Sequence, residues 1–130
     1  MSYLLDSHVL IWSIADTARL SPKAKDIISK ENIYVSAASW WEISIKFKLG
    51  KLKLGDKTPE DFLQASQELE FKDLPLSEVE TSSFHKLELL TKDPFDRMLV
   101  WQAIQHNLIL ISKDNRLSVY EKLGLKLLWL

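Results

Sequence analysis

Four carboxylates in this chain stand among apolar neighbours, where a charged group needs a reason to be. Asp6 follows Leu4-Leu5, Glu42 lies between Trp41 and Ile43, Asp96 follows Pro94-Phe95, and Asp114 follows Ile111-Ser112-Lys113. An ionised carboxylate is costly to bury unless it is paired or binds a cation. Four of them in one crevice would call for a compensating ion. Oxygen-only ligation with waters retained is what Mg²⁺ or Mn²⁺ accepts. Such an ion can activate water, orient a scissile phosphate and stabilise a leaving oxygen. Cys is absent, which removes thiolate zinc sites, iron–sulfur clusters, disulfides and Cys nucleophiles together. His8, His85 and His106 are far apart and show no H-x-x-x-H pairing, so any metal would be held by oxygen.

Each acid also has a plainer reading. Asp6 can cap the helix that follows it, and Asp114 can cap one beginning near Asn115. Asp96 suits the first turn of a helix, where acids are favoured by the macrodipole. Glu42 can be an ordinary salt-bridge partner. What would set these readings apart is whether the fold brings the four to one place.

The elements that must position them can be read from the pattern. Tyr3-Leu4-Leu5 is a first strand, followed by a brief helix from Val9 to Ala15. Ser21-Pro22 opens another helix with Pro at the first helical position. Ile33-Tyr34-Val35 is a second strand, and Ser36 can cap a helix through Trp40, Ile43 and Phe47 that closes at Gly50. Thr58-Pro59-Glu60 starts a further helix. Phe71 to Leu74 reads as a third strand and Ser77 to Leu90 as one helix. Asp93-Pro94 opens an apolar helix from Phe95 to Asn107, and Leu108 to Ile111 has the continuous apolar run of a strand buried on both faces. A short helix near Leu117 to Lys122 ends at Gly124, and Leu127-Leu128-Trp129 makes a last strand.

Strands alternate with helices throughout, which predicts an α/β fold: a three-layer domain whose mostly parallel sheet is flanked by helices. In such sheets ligands bind outside the carboxyl ends of the strands. All four acids come just after a strand or at the start of a helix, and so fall at that end.

With 130 residues, 46% apolar and 27% charged, the chain is expected to form one domain over 1–130. No stretch reaches the roughly 18 apolar residues needed to span a bilayer, and no signal pattern opens the chain, so a cytoplasmic location is expected. The formal net charge of −1 argues neither for nor against a nucleic-acid partner, whose footprint must then be local. Lys46, Lys48, Lys51 and Lys53 form a basic strip; Lys92, Arg97, Lys113 and Arg116 flank the acids. As phosphate contacts these would supply that footprint, although lysines at a helix C-terminus are also favoured by the helix itself. Arg97 and Lys113 stand nearest the acids. Ser7 and Ser112 can orient a metal-bound water or a phosphate. His8 is expected to pack or meet solvent, and the five Trp to serve core and interface.

The segments Leu4-Leu5-Asp6-Ser7-His8-Val9-Leu10, Val35-Ser36-Ala37-Ala38-Ser39-Trp40-Trp41-Glu42-Ile43, Lys48-Leu49-Gly50-Lys51-Leu52, Asp93-Pro94-Phe95-Asp96-Arg97 and Ile111-Ser112-Lys113-Asp114 closely resemble PIN-domain proteins, particularly the VapC-type toxins. The resemblance runs in order over nearly the whole chain. It implies a Mg²⁺- or Mn²⁺-dependent ribonuclease fold, commonly dimeric, held inactive by a VapB-type antitoxin. The metal-binding and catalytic acids it carries over are Asp6, Glu42, Asp96 and Asp114. Ser7 stands where many relatives have Thr, which keeps the hydroxyl. Two other classes compete: a phosphoacceptor module of the receiver type, and a nuclease-like fold kept for protein binding. A housekeeping nuclease without a toxin role is the nearer alternative.

Overall fold

A computed structural model describes residues 1–129. Five parallel strands form one sheet: β1 (Ser2–Leu5), β2 (Asn32–Ser36), β3 (Lys72–Leu74), β4 (Ile109–Ser112) and β5 (Lys126–Trp129), in the order β3-β2-β1-β4-β5. The chain first moves outward from β1 through β2 to β3, then crosses back to place β4 on the other side of β1. Leu4 pairs with Tyr34 on one side and Leu110 on the other, and Leu5 with Ile111. The order therefore reverses between β1 and β4, and a crevice opens beyond their carboxyl ends.

The pleat sorts the apolar residues into two cores. Tyr3, Leu5, Val35 and Ile111 face a layer that includes α1 (Ser7–Ala15), α2 (Pro22–Lys30), α3 (Ala37–Lys48) and α4 (Pro59–Glu68). Leu4 and Leu110 face the opposite layer, with Leu99, Val100 and Ala103 of α6 (Pro94–His106), and Leu117 and Tyr120. A sheet covered on both faces explains why Leu108 to Ile111 carries no alternating polar residue.

The helix starts follow the local rules. Ser21 and Thr58 accept from the amides of Ala24 and Asp61, each ahead of a Pro at the first helical position. Ser36 caps α3 by accepting from the Ala38 amide at 3.0 Å. At the other ends, α6 closes on Asn107 in the left-handed region (φ 54°), and the 3₁₀ segment Asn115–Leu123 closes on Gly124 at φ 104°, which L side chains rarely adopt.

The helix expected from Ser77 to Leu90 is shorter. It runs only as α5 (Glu78–Ser83), gives way to a 3₁₀ turn (Phe84–Lys86), and the chain is irregular from there. Tertiary partners replace helical ones: the Tyr120 hydroxyl accepts from the amides of both Leu90 and Thr91 at 3.1 Å. The Ser83 hydroxyl is taken up by the Trp101 indole N–H at 3.2 Å. No helix among the described residues is long and apolar enough to cross a membrane.

Candidate functional site

Beyond the carboxyl ends of β1 and β4 lies a cavity of about 400 Å³. Asp6, Glu42, Asp96 and Asp114 all line it, together with Asp93, His8, Trp12, Lys46, Lys113 and Arg116. The fold therefore brings the four acids to one place, from the end of β1, the middle of α3, the first turn of α6 and the loop after β4. A second cavity, about 380 Å³, lies by the opposite strand ends; its lining includes His106 and Lys126 but no carboxylate.

Asp6 does both things open to it. Its Oδ1 caps α1, accepting from the Val9 amide at 2.8 Å. Its Oδ2 accepts from the Ser112 hydroxyl at 2.5 Å, which ties the end of β1 to the end of β4. Burial pushes its carboxyl above the usual range, against the lowering effect of these two bonds.

Glu42 is 3% exposed, so it is no surface residue. Ser7 donates to its Oε1 at 2.6 Å and Lys46, one turn further along α3, to its Oε2 at 2.5 Å. Burial opposes the charge on Lys46, yet the Glu42 bond and the negative charges of Glu42, Asp93 and Asp96 leave its pKa raised.

Asp96 is under strain as well. Burial first, then the charges of Asp93, Glu42, Asp6 and Asp114, push its pKa up to about 7. Four neighbouring acids therefore act on one carboxyl, which is the electrostatic signature of a site built to receive positive charge. Asp93 is the true cap of α6, accepting from the Phe95 amide at 2.8 Å, but it also lines the cavity and acts on Asp96. The sequence showed only its capping role.

Asp114 faces the rim. It caps the 3₁₀ segment by accepting from the Arg116 amide, and its two oxygens take Arg116 Nε and Nη2 at 2.9 and 2.8 Å. The Arg116 fork holds its carboxyl below the usual range.

The residues expected to meet substrate divide. Lys113 lines the cavity, with its ammonium 5.4 Å from the centre of the Trp12 ring. Ser7 and Ser112 are buried and donate to Glu42 and Asp6, so they orient the acids rather than reach for a phosphate. Arg97 departs furthest. Its guanidinium lies over the Phe84 ring at 4.7 Å and its buried Nε has no partner, so it does not line the cavity. The helical period explains this, because consecutive residues on α6 point about 100° apart. In the basic strip only Lys46 reaches the cavity, whereas Lys48, Lys51 and Lys53 are exposed elsewhere. Trp41, expected in core or interface, is 61% exposed and meets the Phe95 ring edge-on. Trp12 enters the cavity wall with Arg19 5.6 Å from its ring, a contact that no spacing in the sequence announced.

The carboxylates that line the cavity fit a hard divalent cation, and one of them is strained by burial and like charges. Among the described residues, however, no three Asp, Glu, His or Cys side chains stand as a ready-made ligand group. Glu42 is paired with Lys46 and Asp114 with Arg116, so two of the four acids already carry a counter-charge.

Comparisons with known proteins bear on the family and the fold. The PIN domain family matches residues 3–123. Ribonuclease VapC22 of Mycobacterium tuberculosis is 31% identical over 115 residues, covering 88% of this chain and 88% of that protein. Among solved structures, VapBC2 from Rickettsia felis bound to a DNA fragment from its promoter superposes with a TM-score of 0.69 at 16% identity, covering 100% of this chain and 99% of that one. VapBC-1 from nontypeable Haemophilus influenzae gives 0.61 at 19% identity, covering 99% and 98%. These two share the fold. With the family matched over most of its length and a curated relative above 30% identity, this chain belongs to the PIN-domain family.

Proposed function

We propose that the chain is a divalent-metal-dependent ribonuclease, with Mg²⁺ or Mn²⁺ as its ion, and that it is the toxin of a toxin–antitoxin pair. The observation that carries the chemistry is the meeting of four acids at the sheet's reversal point, with Asp96 pushed up to about 7 by burial and by the neighbouring carboxylates. The substrate class follows from the 31% identity to a ribonuclease.

In this reading Asp6, Glu42, Asp96 and Asp114 hold the ion. Bound there, the cation supplies Lewis acidity toward the scissile phosphate and compensates charge on the leaving oxygen. Ser112 and Ser7 fix the carboxylates of Asp6 and Glu42, the kind of supporting bond that sets ligand orientation. Lys113 and Arg116 border the cavity and meet the RNA backbone.

The decisive experiment is cleavage of RNA by the purified chain with Mn²⁺, against the same protein in chelator and against Asp6→Asn. Cleavage that survives either change overturns the reading.

The toxin role is supported by structural neighbours that are VapBC complexes. A VapB-type antitoxin would lay a segment across the acid cavity and offer it a cation such as Arg. Co-expression with the small protein encoded beside this chain should suppress a growth defect caused by the chain alone. No growth defect and no binding would favour a housekeeping nuclease. A homodimer is part of the same reading, and a monomer by light scattering at high concentration would remove it.

A further inference from the structure

Both oxygens of Glu42 are already in use. The Ser7 hydroxyl takes Oε1 at 2.6 Å and the Lys46 ammonium takes Oε2 at 2.5 Å. Each oxygen keeps a second lone pair, so a neutral donor can stay, but the Lys46 ammonium is a positive charge on the same carboxylate and opposes a divalent cation there. Ser7 is buried, in the first turn of α1 directly after Asp6, and its neutral hydroxyl can keep its bond when a cation approaches. Lys46 has a four-carbon arm, and its side chain is 38% exposed against 4% for Glu42. It is the donor that can leave. It cannot leave alone, because stripping one partner from a buried pair strands the other charge. A second cation entering the cavity removes that penalty and, being positive, repels the ammonium.

We propose that Lys46 is an exchangeable counter-ion: its ammonium holds Glu42 until a divalent cation enters the acid cavity, then turns out to the cavity mouth and contacts a phosphate of the RNA. This rests on the nuclease reading above, and adds to it a residue that gives up its charge partner to the metal and takes up the substrate. A purely structural pair spaced one helical turn apart would behave differently, since its ammonium would stay on Glu42 when the cavity fills.

The test uses the full chain. Titration calorimetry with MnCl₂ alone should give a Kd about tenfold lower for Lys46→Met than for the unaltered protein, because the competing charge is gone; a Kd equal or higher overturns the exchange. Should Lys46→Met fail to fold, the unaltered protein still decides. The ¹H–¹⁵N signal of the Lys46 ammonium, protected by its bond to Glu42, should be lost on saturation with Mg²⁺, and a signal unchanged by Mg²⁺ overturns the proposal. For the phosphate contact, the probe is a 2′-O-methyl RNA oligonucleotide with Mg²⁺ present. The slope of log K against log salt should flatten by about 0.7 in Lys46→Met, the share of one phosphate contact on a single strand. An unchanged slope overturns the contact. Unaltered protein that binds Mn²⁺ yet neither binds nor cleaves RNA overturns that contact and the nuclease reading together, while loss of the Lys46 ammonium signal on saturation with Mg²⁺ would still uphold the exchange.

Discussion

The Ser112 hydroxyl donates to Asp6 Oδ2 at 2.5 Å while its oxygen accepts from the Asp114 amide at 3.0 Å, so one side chain fixes two of the four cavity acids. It does so at the point where strand order reverses, joining residues more than a hundred positions apart. Ser112→Ala leaves a buried carboxylate oxygen short of its donor. We expect a loss of about 1–3 kcal/mol in stability by urea unfolding and Mn²⁺ affinity weakened about 10–100-fold, as when supporting partners of metal ligands are removed. Undiminished metal affinity in Ser112→Ala would show that Asp6 needs no orientation.

Asp93 and Asp96 should separate by phenotype. Asp93 caps α6, so Asp93→Ala should cost about 1 kcal/mol of stability. It leaves metal-dependent cleavage largely intact below the melting range, although its charge near Asp96 is lost. Asp96→Asn should nearly abolish cleavage and remove the rise in melting temperature on adding Mn²⁺, at little cost to metal-free stability, because it takes a charge out of a crowded cluster. Activity retained by Asp96→Asn and lost by a well-folded Asp93→Ala would reverse the roles.

The stressed carboxyl also sets a pH dependence. Asp96 has a folded pKa of about 7, raised from 3.8. Between those values the folded protein holds a proton that the unfolded chain has released, so the stability Asp96 contributes is complete below 3.8 and lost as pH rises through about 7. Asp6, also raised, acts in the same direction. The metal-free melting temperature should therefore fall as pH rises from about 4 to about 7, and Asp96→Asn should flatten that fall. Ligands must be ionised to bind, so the melting-temperature gain at fixed Mn²⁺ should grow over the same interval. Differential scanning fluorimetry across pH, with and without Mn²⁺, measures both; a gain that shrinks as pH rises would contradict the site.

Gln102, which does not line the cavity, tests stability. Fully buried, it accepts from Ser36 Oγ at 2.5 Å and donates to Pro75 O and Glu80 Oε2 at 3.2 and 3.3 Å. Glu80 is meanwhile bonded to His106 and caps α5 by accepting from the Ser77 amide. Gln102→Leu should cost about 1–3 kcal/mol for the buried groups left unpaired, with Mn²⁺ affinity unchanged. A shift in metal affinity would mean that this network reaches the acids.

The sequence by itself determined most of the elements, because caps, Pro positions and apolar runs are local physics. Asp6, Ser21, Ser36, Thr58, Asp93 and Asp114 all cap as their types and neighbours imply. The parallel α/β class and the four acids at one end of the sheet were legible for the same reason, since each acid sits at a fixed offset from an element boundary. Whether those acids meet was decided only by strand order: the return of β4 to the free side of β1 puts Asp114 and Ser112 beside Asp6, and no local signal encodes which edge a strand joins. Side-chain direction was likewise tertiary. Arg97 follows Asp96 in the chain yet packs on Phe84, and Lys46 belongs to an outwardly basic strip yet pairs with a buried Glu42, because the helical period and the best available partner, rather than proximity in sequence, choose where a long cation goes.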